Sequence, residues 1–64
     1  MIIHLRNPRR NVEMAGPAPV HAILDRLDIH RDTVIVIADG TLVPGDTMLA
    51  DSAEIEIRPV ISGG

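Results

Sequence analysis

No cysteine, lysine or aromatic residue occurs among the 64 residues of this chain. Without cysteine there is no disulfide framework, thiol nucleophile or thiolate metal site, so the fold must rest on aliphatic packing alone. Without Phe, Tyr or Trp, nucleic-acid bases find no ring to stack on. Positive charge is scarce as well: six arginines face nine acidic residues, and a net charge of -3 repels a phosphate backbone. No direct contact to nucleic acid is expected. The longest apolar run lies inside Val34–Ala38, far short of a membrane span or a signal-peptide core, and the opening MIIHLRNPRR carries its charges after its apolar residues. This reads as a cytoplasmic protein without a membrane partner. A domain of this size buries only roughly 60% of the surface its unfolded chain exposes, so no deep enzyme cleft is expected. Any activity belongs at an edge, a tail or a partner's surface.

What is present is aliphatic: nine Ile, six Val, five Leu, six Ala and three Met. Residues 2–6 alternate, with Ile3 and Leu5 on one face and Ile2, His4 and Arg6 on the other, the period of a half-buried strand. The turn residues Asn7-Pro8-Arg9-Arg10-Asn11 precede Val12 and Met14, so the first fifteen residues read as a hairpin. Gly16-Pro17-Ala18-Pro19 breaks the sheet, and Pro19 suits the first position of a helix of about nine residues because its missing N–H would have no partner there. Val20, Ile23, Leu24 and Leu27 fall on one stripe of that helix, with His21, Asp25 and Arg26 elsewhere. Thr33–Ala38 is a β-branched strand that is apolar on both faces; Asp39-Gly40 is a tight-turn signal; Thr41–Val43 is a short return strand. Glu54–Arg58 alternates again and sends Ile55 and Ile57 inward.

Several strands with one helix give a two-layer α+β domain spanning residues 1–64. The ubiquitin-like β-grasp fits best: a mixed sheet of about four to five strands, first and last strands central and parallel, one helix on one face. The register of the strand at 33–38 has two readings. With Val34, Val36 and Ala38 toward the helix, Ile35 and Ile37 lie on the helix-free face near Ile2 as a docking patch; in the reversed register Val34 and Val36 form the patch.

The ending Arg58-Pro-Val-Ile-Ser-Gly-Gly64 resembles the tails of the ThiS and MoaD sulfur-carrier proteins, including the ThiS-like carriers that serve tRNA thiolation. Two terminal glycines arise by chance in about one chain in two hundred, so their place after the last strand carries the weight. Val34-Ile-Val-Ile-Ala-Asp-Gly-Thr-Leu-Val-Pro44 is similar to that family's hairpin, and Val20–Leu27 sits where its helix does. The resemblance covers Ile2 to Gly64. Asp28 departs from the pattern, since the family often has glycine at that helix end, where a left-handed backbone is wanted.

The resemblance implies a carrier rather than an enzyme. The Gly64 carboxylate would be adenylated by a ubiquitin-activating-type enzyme that uses ATP. A persulfide sulfur from a sulfurtransferase or cysteine desulfurase would displace AMP, and reduction would leave a thiocarboxylate. That group donates sulfur in thiamine thiazole synthesis or tRNA 2-thiouridine formation, through a thiazole synthase or a tRNA thiolase. Residues 60–64 would be the flexible tail, with small Ser62, Gly63 and Gly64 entering the partner's narrow active site because glycine brings no Cβ to clash. Ile2, Ile35, Ile37, Arg58 and Val60 would dock the partner. The absent Cys and Lys leave few internal acceptors for an activated acyl group. No bound cofactor or metal is expected: His4, His21 and His30 have no pair at ligand spacing, and Asp25, Asp28 and Asp32 read as a solvated face. The same tail also suits the small subunit of a molybdopterin synthase or a ubiquitin-like protein modifier, and a noncatalytic β-grasp interaction module would share the patch without needing the tail.

Overall fold

The computed structural model describes residues 1–6 and 9–60. Strands β1 (Ile2–Leu5), β2 (Arg10–Glu13), β4 (Val34–Ala38), β5 (Thr41–Val43) and β7 (Glu54–Pro59) form one sheet in the order β2-β1-β7-β4-β5. The first strand pairs with the last in parallel, Ile3 opposite Ile55 and Leu5 opposite Ile57, while the neighbouring pairings are antiparallel. This is the mixed β-grasp sheet that the alternating segments predict. A second ladder of two residues a side joins β3 (Ala18–Pro19) to β6 (Met48–Leu49).

Helix α1 (Val20–Arg26) covers one face of the sheet. Its buried Val20, Ile23 and Leu24 pack with Ile3, Val36, Ile55 and Ile57 of the strands, so the helical stripe and the strand alternation meet in one aliphatic core. Val36 and Ala38 are buried, and Val34 packs against the same core. The strand therefore takes the register that leaves Ile35 and Ile37 on the helix-free face.

Two helix-end details differ from expectation. Pro19 is the N-cap in an extended conformation, not the first helical residue, and the helix proper runs seven residues rather than about nine. Pro19 can precede the helix because loop carbonyls satisfy the first amides: Val20 N–H donates to Thr47 O at 3.0 Å and His21 N–H to Gly45 O at 2.9 Å. At the other end Asp28 adopts φ +58°, and the amides of Asp28 and Ile29 donate to the carbonyls of Asp25 and Leu24 at 3.1 and 2.9 Å. This is a Schellman closure with aspartate where glycine is easiest.

Candidate docking face and tail

The parallel β1–β7 pair sends both strands toward the same end of the sheet, so the chain leaves β7 beside Arg6. Val60, 48% exposed, makes the last backbone tie of the described chain, its N–H donating to Thr33 O at 3.0 Å. Ser62, Gly63 and Gly64, the residues expected to enter a partner, lie outside the described residues.

Strand register fixes the composition of the helix-free face. Ile37 lies opposite Leu42 on one side and Glu56 on the other, and Ile35 lies opposite Arg58. Glu56 in turn is opposite His4, which is opposite Asn11. The face thus has an apolar strip on β4 and β5 beside a polar field on β7, β1 and β2. Ile35 and Ile37 are half-buried, whereas Leu42 is 63% exposed and is the most prominent side chain of the strip.

The expectation that Ile35 and Ile37 lie near Ile2 needs correction. Ile2 is on the same face and 42% exposed, but its strand is separated from β4 by β7, and two strand spacings across the sheet with a two-residue offset along it place Ile2 roughly 12 Å from Ile37 and farther from Ile35. Leu42 takes its place, and the signal for it was in the sequence. A two-residue Asp39-Gly40 turn pairs Ala38 with Thr41 and hence Ile37 with Leu42. Asp39 and Gly40 both have positive φ, +49° and +83°, as that hairpin turn requires.

The polar field is hydrogen-bonded within itself. His4 Nδ1 is 2.8 Å from Asn11 Oδ1 and Nε2 is 3.2 Å from Glu54 Oε2. Glu54 first, then Asn11, hold the imidazole above its ordinary pKa, because an acceptor at each ring nitrogen favours the doubly protonated form. Glu56 Oε2 accepts from Arg58 Nε at 2.7 Å and Arg6 Nε at 3.1 Å. Those bonds, Arg58's foremost, hold the Glu56 carboxyl below the usual carboxylate value. Among the described residues no group of three or more His, Asp or Glu is placed to hold a metal ion. No helix among them is long and apolar enough to cross a membrane.

Comparison with known proteins places this geometry. The model of the ThiS family matches residues 3–64, nearly the whole chain. The chain belongs to the ThiS family. Similarity extends to sulfur carrier protein TtuB of Thermus thermophilus, 29% identical over 65 residues that cover all of both chains. Members of the ThiS family are small sulfur carriers rather than catalysts.

Proposed function

We propose that this ThiS-family carrier bears its sulfur on Gly64. The carrying observation is that the family match runs through residue 64, so the Gly63-Gly64 pair falls within the matched region. A carboxylate is a poor electrophile because its charge repels nucleophiles and an oxide is a poor leaving group. Adenylation solves this: the Gly64 carboxylate attacks the α-phosphate of ATP, pyrophosphate departs, and the acyl adenylate forms on a ubiquitin-activating-type enzyme. A persulfide sulfur from a sulfurtransferase or cysteine desulfurase then attacks the acyl carbon and expels AMP. Reduction of the acyl disulfide by a thiol releases the thiocarboxylate.

In this reading Val60 starts the tail, Ser62, Gly63 and Gly64 thread the partner's channel, and the face carrying Ile35, Ile37, Leu42 and Arg58, with Ile2 at its far side, docks the partner. Leu42 joins the set because it is the most exposed residue of the strip. The chain holds no cofactor of its own, ATP being consumed on the partner, and it works in the cytoplasm. The acceptor is a thiazole synthase or a tRNA thiolase. Full-length similarity to a protein named a sulfur carrier supports the carrier role over a noncatalytic module.

One appended residue tests this reading. A chain with alanine added after Gly64 should bind the adenylating enzyme yet accept no sulfur, since the carboxylate is displaced from the reacting position. Deleting Gly64 should also abolish transfer, with amide spectra overlaying the parent except near residues 61–63. Sulfur transfer by the extended chain would exclude Gly64 as the attachment point.

A further inference from the structure

Charge on the sheet is strongly polarised. At the end where β1 and β7 finish, Arg6 and Arg58 share the single carboxylate of Glu56, and Arg9 joins them on the helix-free face beside His4 and Asn11, whereas Arg10, opposite the buried Leu5, belongs to the helix side. Three guanidinium groups therefore surround Glu56 at this end of the helix-free face. At the opposite end, where the same strands begin, Glu13 and Glu54 flank Ile2 in register, and Asp39 accepts from the Glu54 amide at 3.2 Å. From Glu54 to Arg58 is about 13 Å along an extended strand. That exceeds the roughly 8 Å screening length at physiological salt, so the acidic end does not cancel the arginine end locally. A chain of net charge -3 thus presents a local positive surface where the tail departs.

We infer that Arg6, Arg9 and Arg58 form a steering surface for an acidic patch on the protein that receives the tail. The partner chemistry follows from what adjoins the arginines. Arg58 is the register partner of Ile35, so the positive surface runs directly into the apolar strip of Ile35, Ile37 and Leu42. An apolar protein surface with an acidic margin complements both halves, whereas a phosphate backbone complements only one. Glu56 in the midst of the arginines and the lack of any aromatic ring also favour a protein over a nucleic acid. Complementary charge of this kind acts mainly on encounter: it raises the association rate and orients the tail toward the site it must enter. The inference rests on the tail-docking reading for the partner's identity alone, and the surface itself can be tested without it.

The experiment is a titration of the isotope-labelled chain with poly-L-glutamate, followed in amide and arginine Nε–H spectra at low and high salt, with poly(U) RNA as the contrasting polyanion. The expected result is salt-sensitive shifts at Arg6, Arg9 and Arg58 and little change around Glu13 and Asp39. In an Arg9→Gln/Arg58→Gln variant, both positions being exposed, the apparent affinity should fall roughly three- to tenfold. Absence of localised shifts, an unchanged affinity in the variant, or tighter binding of poly(U) than of polyglutamate would overturn the proposal. Modification of the parent chain by its adenylating enzyme is scored separately by mass, so a failure of the carrier reading is not mistaken for a failure of the arginine surface.

Discussion

Replacing Leu42 with alanine separates docking from folding better than any other change on the helix-free face. Leu42 sits on an edge strand opposite Ile37 and is 63% exposed, so only about a third of its side chain contributes to the isolated domain. Full burial of a leucine is worth roughly 1.5–3 kcal/mol. The exposed two thirds therefore hold about 1–2 kcal/mol that is realised only when a partner covers the strip, a five- to thirtyfold change in dissociation constant. The covered third predicts a stability loss below about 1 kcal/mol, or a Tm decrease of under about 8 °C for a domain of this size. Ile37→Asp makes a poorer probe: Ile37 is half-buried and lies opposite Glu56. An aspartate there would add like-charge repulsion to lost packing, so stability and binding would fall together. Calorimetric titration of Leu42→Ala onto the adenylating enzyme, with a thermal melt of the variant alone, measures both quantities. Unchanged affinity, or a melt lowered by far more than the stated range, would refute the assignment of this strip as a docking surface.

Asp28→Gly should stabilise the domain by about 0.5–1 kcal/mol in urea unfolding, because Asp28 holds φ +58° in the Schellman closure where glycine carries no Cβ penalty; a loss of stability would show that the aspartate contributes something beyond its backbone. Gly16→Ala should destabilise by about 1–3 kcal/mol, since a Cβ at that position would lie 2.6 Å from the Met1 Cε and 3.1 Å from the Asp51 Cα, and the backbone has less room to yield than the methionine; an unaltered melt would contradict that close approach. His4 should titrate above 6.5 in NMR spectra and return toward that value in a Glu54→Gln variant. Its folded pKa is raised, so its favourable interaction is fully present below pH 6.5 and is lost as pH rises through the folded pKa. Glu56 runs the other way: its interaction with Arg58 and Arg6 is present above the ordinary carboxylate value and is lost as pH falls through its depressed pKa.

Legibility in the sequence followed the strength of each periodic signal. The strands at 2–5, 34–38 and 54–59 and the stripe Val20, Ile23, Leu24 were readable because apolar spacing directly reports a buried face. The β3–β6 ladder was not. Two residues a side leave no periodicity, and a proline at 19 argues against a strand until its partner at Met48 is known. The docking strip was half legible: alternation gives Ile35 and Ile37, but their neighbours depend on strand order, which brings Leu42 beside Ile37 and interposes β7 before Ile2. The arginine surface was hidden for the same reason, since only the parallel β1–β7 pairing brings Arg6 and Arg58 onto one carboxylate.

The central claim, that Gly64 carries the sulfur, is tested most directly by intact-mass spectrometry of the chain after incubation with ATP, its adenylating enzyme and a persulfide donor, followed by reduction. The carrier reading predicts replacement of one oxygen by sulfur, with fragmentation placing the change on the C-terminal residue and dependence on ATP. An unchanged mass while the same enzyme modifies another carrier, or a modification placed anywhere but Gly64, would contradict it.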